Sequence, residues 1–141
     1  MKKLLFMLAV VCLVFFACGT KDGDSTANVS DRNDSVAFTK ANELAGTAKK
    51  ELELGGSKDK ALKLFNEALG IKEIPWVLGD RGKLKIDMND IEGAIVDLTK
   101  AIDAEKRGIY YIWRADAYRK LGNDNLANAD IEEAGKLPKD Y

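Results

Sequence analysis

Residues 81–101 read RGKLKIDMNDIEGAIVDLTKA, and the placing of their small and large residues decides the fold. Ala94 has counterparts 33 residues away on either side, Ala61 and Ala127. Ala101 keeps that spacing with Ala68 and Ala134, and Leu98 keeps it with Phe65 and Ile131. Small residues let two helical backbones approach while a larger one fills the groove between them, so the set marks the contact face of paired helices. Asn89-Asp90 recurs as Gly56-Ser57 and Gly122-Asn123. Each pair sets a residue tolerant of left-handed φ before a side chain able to cap the next helix.

Outward from this stretch, apolar residues recur at three- and four-residue steps. A first helix, capped at Asp34 or Ser35, carries Val36, Ala37, Ala41, Leu44, Ala45, Ala48 and Leu52 and ends at Gly55-Gly56. The second starts at Ser57 with Ala61, Leu62, Leu64, Phe65, Ala68 and Leu69. Trp76, Leu78, Gly82, Leu84 and Ile86 mark the third, and Ile91, Ala94, Ile95, Leu98, Ala101 and Ile102 the fourth. Ile109, Tyr111, Ile112, Ala115, Tyr118 and Leu121 follow in a fifth, then Leu126, Ala127, Ile131 and Ala134 in a sixth, which Leu137-Pro138 stops. No segment alternates with period two over a useful length, so the chain is read as all-α. Two short helices cannot bury a core alone; three stacked helix-turn-helix pairs can, and they predict a short right-handed superhelical solenoid.

Arg81-Gly82-x-Leu84-Lys85, Asp90, Ala94, Asp97-Leu98 and Ala101 resemble a tetratricopeptide repeat. Tyr111, Arg114-Ala115-x-Ala117-Tyr118, Gly122, Ala127, Asp130-Ile131 and Ala134 resemble it again. The resemblance divides a helical domain over 34–141 into repeats of about 42–74, 75–107 and 108–140. It implies a protein-binding scaffold without catalysis. The chain departs from the family in its 33-residue period against about 34, and in prolines displaced to Pro75 and Pro138. Asn128 and Gly135 stand where the middle repeat has Ile95 and Ile102, and no seventh helix follows; the Leu137 end is expected to expose an apolar strip open to self-association.

At the start, Lys2-Lys3 precede Leu4 to Ala17, a run without charge that is too short to span a bilayer, for which roughly 20 residues are needed. Residues 1–17 therefore read as a signal peptide. Phe15-Phe16-Ala17-Cys18 resembles the lipobox of bacterial lipoproteins, although Phe15 stands where that family favours Leu. The resemblance implies an acylated Cys18 as the new N-terminus and a membrane-anchored protein of the cell envelope, periplasmic or surface-exposed. Polar residues over 18–33 read as a flexible tether reaching roughly 20 Å. With Lys2 and Lys3 removed, 22 basic residues become 20 against 23 acidic ones, a net charge of −3. That disfavours nucleic acid, which demands a basic patch.

There is no histidine, and the two cysteines are Cys12, inside the apolar run, and Cys18. Nothing in the sequence asks for a metal or a cofactor. A carboxylate pair such as Asp87 and Asp116 is the nearest approach to acid–base chemistry. Arg81 and Arg114 each stand sixteen residues before an acid, Asp97 and Asp130, and read as partly exposed structural salt bridges. The concave face of such a solenoid is lined by the first helix of each pair. Carried over residue by residue, the tetratricopeptide resemblance implies Glu43, Lys50, Glu53, Trp76, Lys83, Asp87, Ile109, Ile112, Asp116 and Arg119 as its lining. Trp76 and the cluster Tyr110-Tyr111-Ile112-Trp113 are the more informative of the candidates, because large aromatics anchor interfaces; Tyr111 and Tyr118 read as repeat packing, whereas Trp113 has no packing role in the motif. The expected function is an adaptor that binds a protein or peptide; the alternative is a surface lipoprotein holding a glycan or peptide in its groove.

Overall fold

A computed structural model describes residues 25–138, with side chains from Asp31 onward. The chain divides into units 1–32 and 33–141; of the first, only the opening of one helix is described. Six helices are described: α1 Ser25–Glu53, α2 Lys58–Ile71, α3 Pro75–Asp87, α4 Ile91–Ala104, α5 Gly108–Lys120 and α6 Asp124–Lys136. Among the described residues there is no strand, and no helix is long and apolar enough to cross a membrane. The signal peptide, Cys18 and the tether up to residue 24 lie outside them.

Two expectations at the N-terminus change. The helix expected from Asp34 or Ser35 begins at Ser25, so residues 25–33 of the expected tether are helical. Between Gly23 and Gly46 the sequence has neither Gly nor Pro, and a formed helix propagates at little cost through such residues. Val36, placed by periodicity on the packed face, is exposed; burial begins with Ala41, Ala45 and Ala48.

The turns follow the sequence closely. Ser57, Asp90 and Asn123 cap α2, α4 and α6, their side-chain oxygens accepting from the backbone N–H of Lys60 at 3.3 Å, Gly93 at 3.1 Å and Leu126 at 3.4 Å. Asn89 and Gly122 hold φ of 66° and 72°, as the spacing predicts. In the first turn, however, the positive φ of 72° belongs to Gly55, and Gly56 is an extra residue before the cap. The insertion moves α1 one step in register, so that Ala48, not Lys49, matches Gly82 and Ala115 in the close contact.

Ala41, Ala45 and Ala48 of α1 pack with Ala61, Phe65 and Ala68 of α2 and with Ile74, Val77 and Leu84 around α3. A second cluster joins Leu78, Ile86, Ala94, Leu98 and Ile102 to Tyr110, Tyr111 and Ala117. Phe65 and Leu98 are both fully buried, worth about 1.5–3 kcal/mol each in transfer. Ile131, their repeat counterpart, is 39% exposed, because no described helix covers the outer side of α6. At Gly82 α3 and α4 are in close contact: a Cβ there would sit 2.8 Å from Leu98 Cγ.

Arginine forks tie the layers together. Arg81 donates from Nε and Nη2 to the Asp97 carboxylate at 2.8 and 2.6 Å, and from Nη1 back to Asn66 Oδ1 at 2.9 Å, joining α3, α4 and α2. Arg114 repeats this with Asp130 at 2.9 and 2.8 Å and with Thr99 Oγ1 at 3.0 Å. The acids are buried, at 2% and 5% exposure, so these are not the partly exposed bridges expected. Lys85 adds a third contact to Asp97 at 3.0 Å; Tyr118 stands at the equivalent place in the last repeat and lies under the Arg114 guanidinium.

At the C-terminal end the apolar surface is interrupted by polar residues, with Leu126 and Ile131 of α6 exposed among them. The face that covers the next repeat in α4, Ile91, Ile95, Leu98, Thr99 and Ile102, becomes Asp124, Asn128, Ile131, Glu132 and Gly135 in α6. Leu137 is half-buried against the core. The polar members of this face solvate the last unit of the solenoid.

Candidate functional site

The first helix of each pair contributes to one open cavity of about 390 Å³, lined by Lys49 of α1, Trp76 and Asp80 of α3, and Ile109, Tyr110 and Trp113 of α5, with Arg107 just before α5. Trp76 and Ile109 occupy the same position of successive repeats, and Asp80 and Trp113 do so one turn further along.

Tyr110 organises this cavity from below. It is 1% exposed, and it lies where a Cβ on Gly79 would come within 2.5 Å of its ring, so the glycine makes room for it. Its ring sits 6.2 Å from that of Trp113 at 43°, an ordinary tilted aromatic contact. The Arg107 guanidinium lies 5.5 Å from the Tyr110 ring centre, and Nη1 reaches its hydroxyl at 3.4 Å. Burial pushes the phenol above its usual range, against the opposing pull of Arg107. The cavity therefore has a fixed floor and half-buried indoles at its wall.

Asp80 is the unusual group. Burial pushes its carboxyl above the usual carboxylate range, and the charges of Lys49 and Arg107 pull the other way. No hydrogen bond joins either cation to it.

Of the expected groove residues, Trp76, Ile109 and Trp113 are brought together here. Lys83, Asp87, Ile112, Asp116 and Arg119 are not in the cavity. Lys83 is bound to Asp87 at 2.8 Å, one turn away, and the Asp87 carbonyl accepts from Lys58 at 2.9 Å. Asp87 is thus committed to Lys83. Ile112 is 46% exposed and Arg119 is exposed. Tyr111 is buried in the core, the packing role its repeat position suggests, and Tyr110, also buried, meets the cavity from below. Among the described residues no group of His, Cys, Asp or Glu side chains could hold a metal.

Lys49, Asp80 and Arg107 were not nominated by the sequence. Asp80 was accessible to it, 33 residues before Trp113. Lys49 was not, because uniform spacing carried across the first turn points to Lys50; the extra Gly56 shifts the register and brings Lys49 to the cavity rim.

No known family description matches the chain, and no curated protein matches it either. Among solved structures, the second TPR of Spaghetti (RPAP3), bound to the HSP90 peptide SRMEEVD, superposes with a TM-score of 0.70 over 77% of this chain and 99% of that one. The chain has a tetratricopeptide-repeat (TPR) fold. At 17% identity the likeness is one of architecture. In TPR terms the cavity lies on the side built by the first helices of the three pairs, α1, α3 and α5.

Proposed function

We propose that the protein is a membrane-anchored interaction module of a bacterial cell envelope, an adaptor that holds another protein against its TPR groove. The observation that carries this is the meeting of Trp76, Ile109 and Trp113, from successive repeats, in one cavity. Large aromatics in a concave, partly desolvated site are what anchors a protein partner. The structural neighbour, itself bound to a peptide, supports a peptide or protein as the occupant. Attachment is assigned to acylated Cys18, as the lipobox-like sequence before it suggests.

Membranes carrying the protein, gently cross-linked and solubilised, should yield a specific partner that is lost when Trp76 and Trp113 are both replaced by Ala. Recovery of no specific protein would sink the reading. The anchor is tested apart: Cys18→Ala should leave an unprocessed or soluble protein, and unchanged partitioning would refute acylation.

A glycan or small peptide in the same cavity is the second reading, favoured by two indoles lining one site. A saccharide that raises the melting temperature in proportion to its concentration would select it. Self-association through the last repeat is a third reading, favoured by exposed Leu126 and Ile131 and opposed by the polar residues around them.

A further inference from the structure

The Asp80 side chain is tied to no other part of the fold. Among the described residues its carboxylate makes no hydrogen bond and no ion pair, and Lys49 and Arg107 attract it only through space. Asp97 and Asp130, more deeply buried, are each gripped by a guanidinium. No buried side-chain oxygen of the described residues is left without a partner, so the Asp80 carboxylate reaches solvent through the cavity mouth. Partly stripped of water and given no protein donor, it is held at some cost, and such a group in a cavity is a mark of a binding site.

The neighbours say which donor fits. Trp76, Ile109 and Trp113 supply apolar surface and two indole faces, which attract cations. The Arg107 guanidinium is drawn onto the Tyr110 ring and hydroxyl. Lys49 is exposed at the rim, where its long side chain can swing toward water.

We propose that this pocket takes a single basic side chain, Lys or Arg, from a peptide segment of the partner, its aliphatic stem against Trp76, Ile109 and Trp113 and its cationic head on Asp80. Lys49 and Arg107 repel further positive charge, so a lone base between neutral or acidic neighbours fits and a polybasic run does not. The inference rests on the reading of this groove as the partner-binding surface and names what enters it.

Random heptapeptides displayed on phage and selected on the full chain in mild detergent test it. Selected sequences should carry one Lys or Arg. Asp80→Asn should weaken an enriched peptide about ten- to a hundredfold, the effect of losing a hydrogen bond to a charged group, while melting no lower than the wild type; Asp80→Glu should bind better than Asp80→Asn. Enriched peptides without a basic residue, or binding that Asp80→Asn leaves within about twofold, overturn the inference. If such peptides are still lost on replacing Trp76 and Trp113 by Ala, the groove remains the binding surface and only the basic side chain falls. Enrichment of nothing overturns both.

Discussion

Arg114 grips Asp130 through two parallel hydrogen bonds, Nε to Oδ2 at 2.9 Å and Nη2 to Oδ1 at 2.8 Å, repeating one unit later what Arg81 does with Asp97. The third arm of each guanidinium reaches the second helix of the preceding pair. Each fork therefore joins its own pair to the one before, and both carboxylates depend on it.

Removing one partner of such a pair leaves the other charge buried. Arg114→Ala or Asp130→Ala should each cost about 3 kcal/mol, and the double variant much less than the sum. Asp97→Ala should cost more than Asp130→Ala, because Lys85 also loses its partner. Urea unfolding of the full double-mutant cycle checks both; additive single effects would contradict the fork.

Two glycines make opposite predictions. A Cβ at Gly79 meets the Tyr110 ring at 2.5 Å, so Gly79→Ala should destabilise by about 1–3 kcal/mol and disturb the floor of the cavity. Gly46 lies in the interior of α1 with nothing within 4 Å of its added Cβ, so Gly46→Ala should stabilise by about 0.5–1 kcal/mol. Thermal melts of the two variants read the difference in sign.

The stability of the wild type should carry the signature of Asp80. Its carboxyl is raised in the folded state, so the folded chain binds more protons than the unfolded one between the ordinary aspartate value, about 3.9, and the raised value. The contribution is fully present below the ordinary value and is lost as pH rises through that window. Asp80→Asn escapes this loss. It should therefore melt higher than the wild type at neutral pH, with the gap closing toward pH 3; a gap that widens on acidification would show that Asp80 is stabilised by a partner in the folded state.

Much of this architecture was legible in advance, because a repeat writes its contacts three times. Alanines at 33-residue spacing and the caps Ser57, Asp90 and Asn123 stand where the periodicity puts them, and so does the helix order. The failures have local causes. One extra residue, Gly56, displaced the reading of α1 by a single position and hid Lys49. Ile131 repeats Phe65 and Leu98 in sequence but not in burial, since burial there depends on a following helix. Tyr110 looked like an interface residue because size alone was visible; the notch at Gly79 that takes it inward is a property of two helices packed together. Asp80 shows its meaning only through what fails to bond to it.

The central claim is that the partner lies against the face built by α1, α3 and α5. A photo-cross-linking amino acid placed at Trp113, and in a separate variant at Val96, which is 56% exposed on the second helix of its pair, tests it most directly in living cells. The account predicts a discrete adduct from position 113 and none from position 96. Adducts of equal yield from both positions, or an adduct from 96 alone, would contradict it.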